Sequence, residues 1–256
     1  MFNPFHSVRS FSTGLLLKIK GFPKKIKTLP KKIWIPAICI LCLICIGAVS
    51  LSIHLHNQYW YTPTTIEGID ISHYQGNINW KATQQNSKIQ FAYIKATEGS
   101  YNVDPYFKKN LKNASSVGLK VGAYHFFTLS SSGADQAEHF IKTVNKQKGM
   151  LPPVADIETE GTQEEDFKQQ VSAYIKRVQA YYGQKPVFYV PASIYTVLHD
   201  SYPDYPFWVI NIKAEPTISG WTFWQYSHSS TIKGIKGKVD RNRYRGTQAS
   251  FSNLLS

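Results

Sequence analysis

Four acidic side chains fall within or at the ends of strand-like segments: Asp70 in EGIDIS, Asp156 and Glu158 in PVADIE, and Asp240 in KVDRNRY. Asp156 and Glu158 are two positions apart, so on an extended chain they share a face, about 7 Å from each other along the strand. Like charges held that close in a partly buried place drive one of the two pKa values up. A carboxylic acid that keeps its proton beside one that stays ionised is the equipment of glycoside hydrolysis. Taken singly, each acid is better explained as a cap or as the partner of a neighbouring lysine. Recurrence at four strands is what points to a site.

Other chemistries lack their residues. No Gly-rich loop ends in Lys-Ser/Thr, and SHSSTIKGIKGK is only a loose run of Gly and Lys. The histidines His73, His125, His139, His199 and His228 show no HExxH spacing, and no GxSxG elbow is present. Neither a metal nor a cofactor is expected. Aromatic residues share the strands of the acids: Tyr93, Tyr124, Tyr189, Trp208, Trp224 and Tyr226. They are either core filler or a wall on which sugar faces stack; for Phe223 and Trp224, alternation makes one of the two a core residue.

The elements that would carry these side chains alternate. Strand-like runs occur at 67–72, 89–97, 120–127, 153–158, 185–190, 207–211, 222–227 and 238–244. Helical patterns lie between the early ones, at 79–87, 104–118, 132–149 and 164–183. The last is the clearest, with Phe167, Val171, Tyr174, Ile175, Val178 and Tyr182 on one side and Gly183 as its stop. Such alternation favours a parallel sheet, and eight strands favour a closed barrel. The later connections are too short for crossover helices. The fold class is therefore α/β, a modified TIM-type barrel of about five βα units followed by three strands, with the active site at the C-terminal ends of the strands. An open doubly wound sheet is the alternative.

Charge is concentrated at the start. The chain carries +13 overall, with eight Lys or Arg and no acid in residues 1–32, leaving 21 basic against 16 acidic residues elsewhere. Next comes IWIPAICILCLICIGAVSLSI, residues 33–53, uncharged and about the 20 residues that a helix needs to cross a bilayer. The lysine bias puts 1–32 in the cytoplasm, 33–53 across the membrane, 54–65 as a linker and 66–256 outside. A cleaved signal peptide competes, with AVS at 48–50 as its site, but its apolar core would be about 7–15 residues. All three cysteines, Cys39, Cys42 and Cys45, lie in the apolar segment, which leaves none outside as a nucleophile. The flank beside a membrane span explains the basic tail without nucleic-acid binding.

The motifs GIDISHYQGNINW, FAYIKATEG, VGAYHFF, VADIE, FWQYS and VDRNRY, in this order over about residues 66–245, resemble the family 25 glycoside hydrolases. The resemblance implies a barrel of five βα units and three further strands. It implies lysozyme activity on the β-1,4 bond between N-acetylmuramic acid and N-acetylglucosamine, with peptidoglycan strands as partner; apart from the resemblance, a monomer is expected. By the match, Glu158 is the general acid and Asp156 stabilises charge or orients the N-acetyl group. Asp70 and Asp240 are supporting carboxylates, and Tyr93, Lys95, Glu98, Tyr124, Trp208 and Gln225 form the cleft wall. A glycan-binding barrel without turnover, or a chitinase, remains open; the DxxDxDxE run of chitinases is absent.

Overall fold

The structure is a computed structural model and describes residues 43–50, 65–158 and 165–255. The chain divides into Met1–Pro63 and Thr64–Ser256. In the first unit residues 43–50 are helical (α1), with Cys45 exposed and free. The rest of the expected span 33–53 lies outside the described residues, among which no helix is long and apolar enough to cross a membrane.

The second unit is a barrel. Its strands are β1 (Ile66–Ile71), β2 (Ile89–Glu98), β3 (Asn102–Val103), β4 (Lys120–Phe126), β5 (Val154–Asp156), β6 (Val187–Pro191), β7 (Phe207–Ile210), β8 (Trp221–Ser230) and β9 (Val239–Tyr244). Neighbours run β1-β9-β8-β7-β6-β5-β4-β2-β3, and a further β1–β2 pairing closes eight of the nine into a ring, with β3 folded back on the end of β2. Helices α2 (Trp80–Asn86), α3 (Phe107–Ser116), α4 (Gly133–Thr143), α5 (Glu165–Tyr182) and α6 (Ala192–His199) follow β1, β2, β4, β5 and β6. The three strands after them carry no helix until α7 (Gln248–Ser252), so the expected five-plus-three plan is the observed one.

Three features depart from the sequence reading. The sheet is not wholly parallel, because β9 runs antiparallel to both β8 and β1. The fourth barrel strand stops at Asp156, so Glu158 lies two residues beyond it rather than within it. Helix α6 begins directly at the end of β6, on Pro191, with no turn residues to announce it.

Alternation along the strands separates two cores. Inside the ring pack Phe91, Tyr93, Val154, Val187, Trp208, Phe223 and Tyr244, with Phe251 of α7 closing the end away from the acids. Barrel interiors of this class are usually filled by branched aliphatics. Rings fit here because two glycines face them: a Cβ on Gly68 would stand 2.3 Å from Phe91, and one on Gly122 would stand 2.2 Å from Tyr93. The outer core lies between the sheet and the helices, where α5 buries Phe167, Val171, Tyr174, Ile175, Val178 and Tyr182, the stripe read from the sequence.

Candidate active site

The C-terminal ends of the parallel strands form one mouth, and the reversal of β9 brings its N-terminal end to the same place. Asp70 is the penultimate residue of β1, Asp156 the last of β5, and Asp240 the second of β9, directly paired with Asp70. Glu158 stands just above Asp156 on the chain leaving β5. Asp70 and Asp240 are hydrogen-bonded carboxyl to carboxyl, as are Asp156 and Glu158. The charges of the four acids act on one another, so the fold brings these four side chains together.

Burial governs its electrostatics. Burial, then the charge of Asp240, holds the Asp70 carboxyl well above the usual carboxylate range, while a hydrogen bond from Asn242 opposes this. Asp156 is likewise pushed well up by burial, then by the charges of Glu158 and Asp70, with Lys95 opposing. Glu158 is raised by burial; the hydrogen bond from Asp156 and the charge of Lys95 restrain the rise. Asp240 is raised by burial, against the hydrogen bond from Asp70. Of the central pair, Asp156 is buried and Glu158 is solvent-exposed. Oδ1 of Asp156 is buried with no hydrogen-bond partner in the protein.

Around the acids the wall is polar and aromatic. Tyr124 stands beside Asp70 and Asp156, and burial followed by those two charges raises its phenol well above the usual range. Lys95 is ion-paired with Glu98 at 2.6 Å and lies over the ring of Phe126 at 4.7 Å. Glu98 therefore reaches the site only through Lys95. Gln225 is buried and accepts a 2.6 Å hydrogen bond from the Tyr189 hydroxyl.

Two expected wall residues are not wall. Tyr93 is fully buried and its hydroxyl donates to the Pro152 carbonyl at 3.2 Å, which turns it towards the opposite end of the barrel. Trp208 is 1% exposed, so no sugar can stack on it. It forms the floor instead: its Nε1 donates to Asn242 Oδ1 at 3.0 Å, and Asn242 Nδ2 donates to Asp70 Oδ2 at 2.8 Å. Trp224 and Tyr226 are on the outer face, where the Arg243 guanidinium lies 5.5 Å from both rings.

Sequence reasoning missed Asn242 and left Tyr189 without a role. The signal for Asn242 was available, since it lies two residues after Asp240 and so shares its face of β9. Among the described residues no group of three or more His, Cys, Asp or Glu side chains could hold a metal ion.

Comparison with known proteins agrees with this geometry. The family model described as "Glycosyl hydrolases family 25" matches residues 69–235. Protein YegX of Escherichia coli O157:H7 is 38% identical over 208 residues, covering 78% of this chain and 75% of the relative. Lysozyme M1 of Streptomyces globisporus is 35% identical over 211 residues, covering 75% of this chain and 71% of the relative. The solved structure of a family 25 glycosyl hydrolase from Bacillus anthracis superposes with a TM-score of 0.68 at 37% identity, covering 75% of this chain and 95% of that one. With barrel, acid cluster and sequence in agreement, the chain belongs to glycosyl hydrolase family 25.

Proposed function

We propose that the chain is a peptidoglycan hydrolase of the lysozyme type, an N-acetylmuramidase that cuts the β-1,4 bond between N-acetylmuramic acid and N-acetylglucosamine. The observation that carries the reading is the hydrogen-bonded pair of Asp156 and Glu158, of which only Glu158 is exposed to a substrate and both have raised affinity for protons. Glu158 donates the proton to the leaving glycosidic oxygen. Asp156, buried below and donating to Glu158, passes the shared proton up through that hydrogen bond as Glu158 gives it to the leaving oxygen, and is itself left ionised. The similarity to Lysozyme M1 supports the substrate class.

Two carboxyls in hydrogen-bond contact are closer than the roughly 5–9.5 Å that separates the carboxyls flanking a scissile bond in glycosidases of either stereochemistry. Asp156 is therefore not the group that attacks from the far side. Its unpartnered Oδ1 suits an amide N–H, and it orients the N-acetyl group of the sugar being cut. Asp70 and Asp240, bonded to each other, supply the remaining negative charge that steadies the cationic sugar in the transition state.

For residues 33–53 we keep the reading of a membrane span, with the lysine-rich 1–32 in the cytoplasm and a monomeric barrel outside. Its support is the length, the absence of charge and the one-sided lysines. Protease added to intact spheroplasts would then digest the barrel and spare a tag at residue 1; protection of both would reject that orientation.

The enzymatic reading is tested by incubating the purified chain with peptidoglycan and with chitin between pH 4 and pH 8. New reducing ends from peptidoglycan and none from chitin are expected. Release from chitin alone, or from neither, would overturn it.

A further inference from the structure

Exposed large hydrophobic side chains in the barrel unit are not scattered. Among the described residues there are six, Tyr74, Tyr101, Val103, Leu129, Tyr181 and Ile212, and all except Tyr181 stand on segments that follow β1, β2, β4 and β7 at the mouth. Tyr74 and Tyr101 are the most exposed, at 81% and 76%. Single exposed hydrophobics need no explanation, but a set confined to one rim marks a contact surface.

Each tyrosine stands next in the chain to a residue that lines one hollow, Tyr74 after His73 and Tyr101 before Asn102. It measures about 230 Å³ and is lined by His73, Lys95, Glu98, Asn102, Val103 and Asp104. Lys95, one of its lining residues, also bears on the site, since its charge acts on both Asp156 and Glu158.

The turn that carries Tyr74 is held in place from several sides. Asp104, buried, accepts from the His73 backbone N–H at 2.7 Å, from the Tyr106 N–H at 2.9 Å, and lies 3.2 Å from His73 Nδ1. Ser72 and Gln75 close a reciprocal capping box, and Gln75 Nε2 donates to the Lys238 carbonyl at 2.9 Å. The His73 ring lies against Tyr74, with centroids 4.2 Å apart. Next to Tyr101, His139 Nε2 meets the Asn102 carbonyl at 2.9 Å. An aromatic ring left in water on a braced turn contributes little to folding, but it is a preorganised platform for a flat apolar face.

We infer that the rim of this hollow, between the His73 turn and the β2–β3 hairpin, extends the cleft into an outer glycan subsite beyond the sugars that flank the scissile bond, where the Tyr74 ring, backed by His73, stacks on a pyranose face and Tyr101 meets the strand from the other side. The inference rests on the muramidase reading and adds a residue that selects long glycan strands over short ones. Tyr74 binds sugar away from the reacting atoms. Its removal raises KM and leaves the chemical step alone.

The test compares wild type, Tyr74→Ala and Tyr74→Trp of the full chain on long glycan strands and on a short fluorogenic substrate that fills only the sugars flanking the cut bond. Tyr74→Ala should raise KM on long strands by roughly 3- to 10-fold, the scale of one aromatic contact. Its kcat, and both constants on the short substrate, should stay within about twofold of wild type on the same scale. Tyr74→Trp should restore the low KM. An unchanged KM on long strands with active wild type would overturn the subsite alone, as would equal losses on both substrates. An inactive wild type would overturn the muramidase reading itself.

Discussion

Asp70 and Asp240 meet as a directly opposed pair on the antiparallel seam between β1 and β9, joined carboxyl to carboxyl. Because β9 runs against its neighbours, an acid near its start reaches the mouth that the other acids reach from strand ends. The pair is stored electrostatic cost, since both groups have pKa values raised by burial.

That cost has a sign. A carboxyl whose pKa is higher folded than unfolded stabilises the fold at low pH, and the contribution is lost as pH rises from the ordinary value of 3.8 through the raised one. Asp70→Asn should therefore melt higher than wild type at pH 7 to 8, by about 2–4 °C for each kcal/mol recovered. The gap should close as the pH approaches 4. Thermal melts of both proteins across this range check it, and a gap that widens towards acid would contradict it.

Asn242 is the clip between that pair and the floor. Asn242→Ala leaves Asp70 Oδ2 without its 2.8 Å donor and the buried Trp208 Nε1 without its 3.0 Å acceptor. Buried groups orphaned in this way cost about 1–3 kcal/mol each. A fall in melting temperature is expected, with a larger fall at pH 8 for Asn242→Asp, which adds a third carboxyl to the pair.

His125 works in the opposite direction from the acids. It is fully buried between Thr97 Oγ1 at 2.7 Å and Gln136 Oε1 at 3.1 Å. The Gln136 amide is oriented by the two carbonyls to which its Nε2 donates, so His125 carries its proton on Nε2 and accepts from Thr97. Burial lowers its pKa from 6.5 to about 3. A histidine that protonates only when unfolded withdraws stability as pH falls through that window, by up to about 1.4 kcal/mol per pH unit. The slope of stability against pH from 6 to 4 should be smaller in His125→Gln than in wild type; parallel slopes would contradict the assignment.

Gly122→Ala addresses the aromatic interior. The added Cβ would stand 2.2 Å from the Tyr93 ring, which is itself wedged against Trp208 with centroids 5.0 Å apart. Overpacking of this kind costs about 1–3 kcal/mol. A lower denaturation midpoint is expected, accompanied by a loss of activity as the floor beneath Asp70 shifts.

The barrel was legible because its hydrophobic periods are strong. The α5 stripe from Phe167 to Tyr182 and the spacing of eight strand-like runs led directly to five βα units and three strands. What escaped had little local signal. The direction of β9 depends on pairing with β1 and β8, which no local pattern in VDRNRY records. Helix α6 begins on Pro191 without the turn residues that usually mark a boundary. At the site, alternation located Asp70, Asp156 and Asp240, but it could not say how high on a strand a side chain sits. Tyr93 and Trp208 share the inward face with the acids and lie below them, so one became core and the other floor. The strand-like run PVADIE includes Glu158, but the strand ends at Asp156 and leaves Glu158 exposed.

The most direct test is mass spectrometry of the fragments released from peptidoglycan by the wild-type chain and by Glu158→Gln. Wild type should release fragments ending in reducing N-acetylmuramic acid, and a folded Glu158→Gln should release them at least about 10²-fold more slowly, the scale of general acid catalysis. Equal release by the two proteins, or fragments ending in reducing N-acetylglucosamine, would contradict the assignment of Glu158 as the acid of a muramidase.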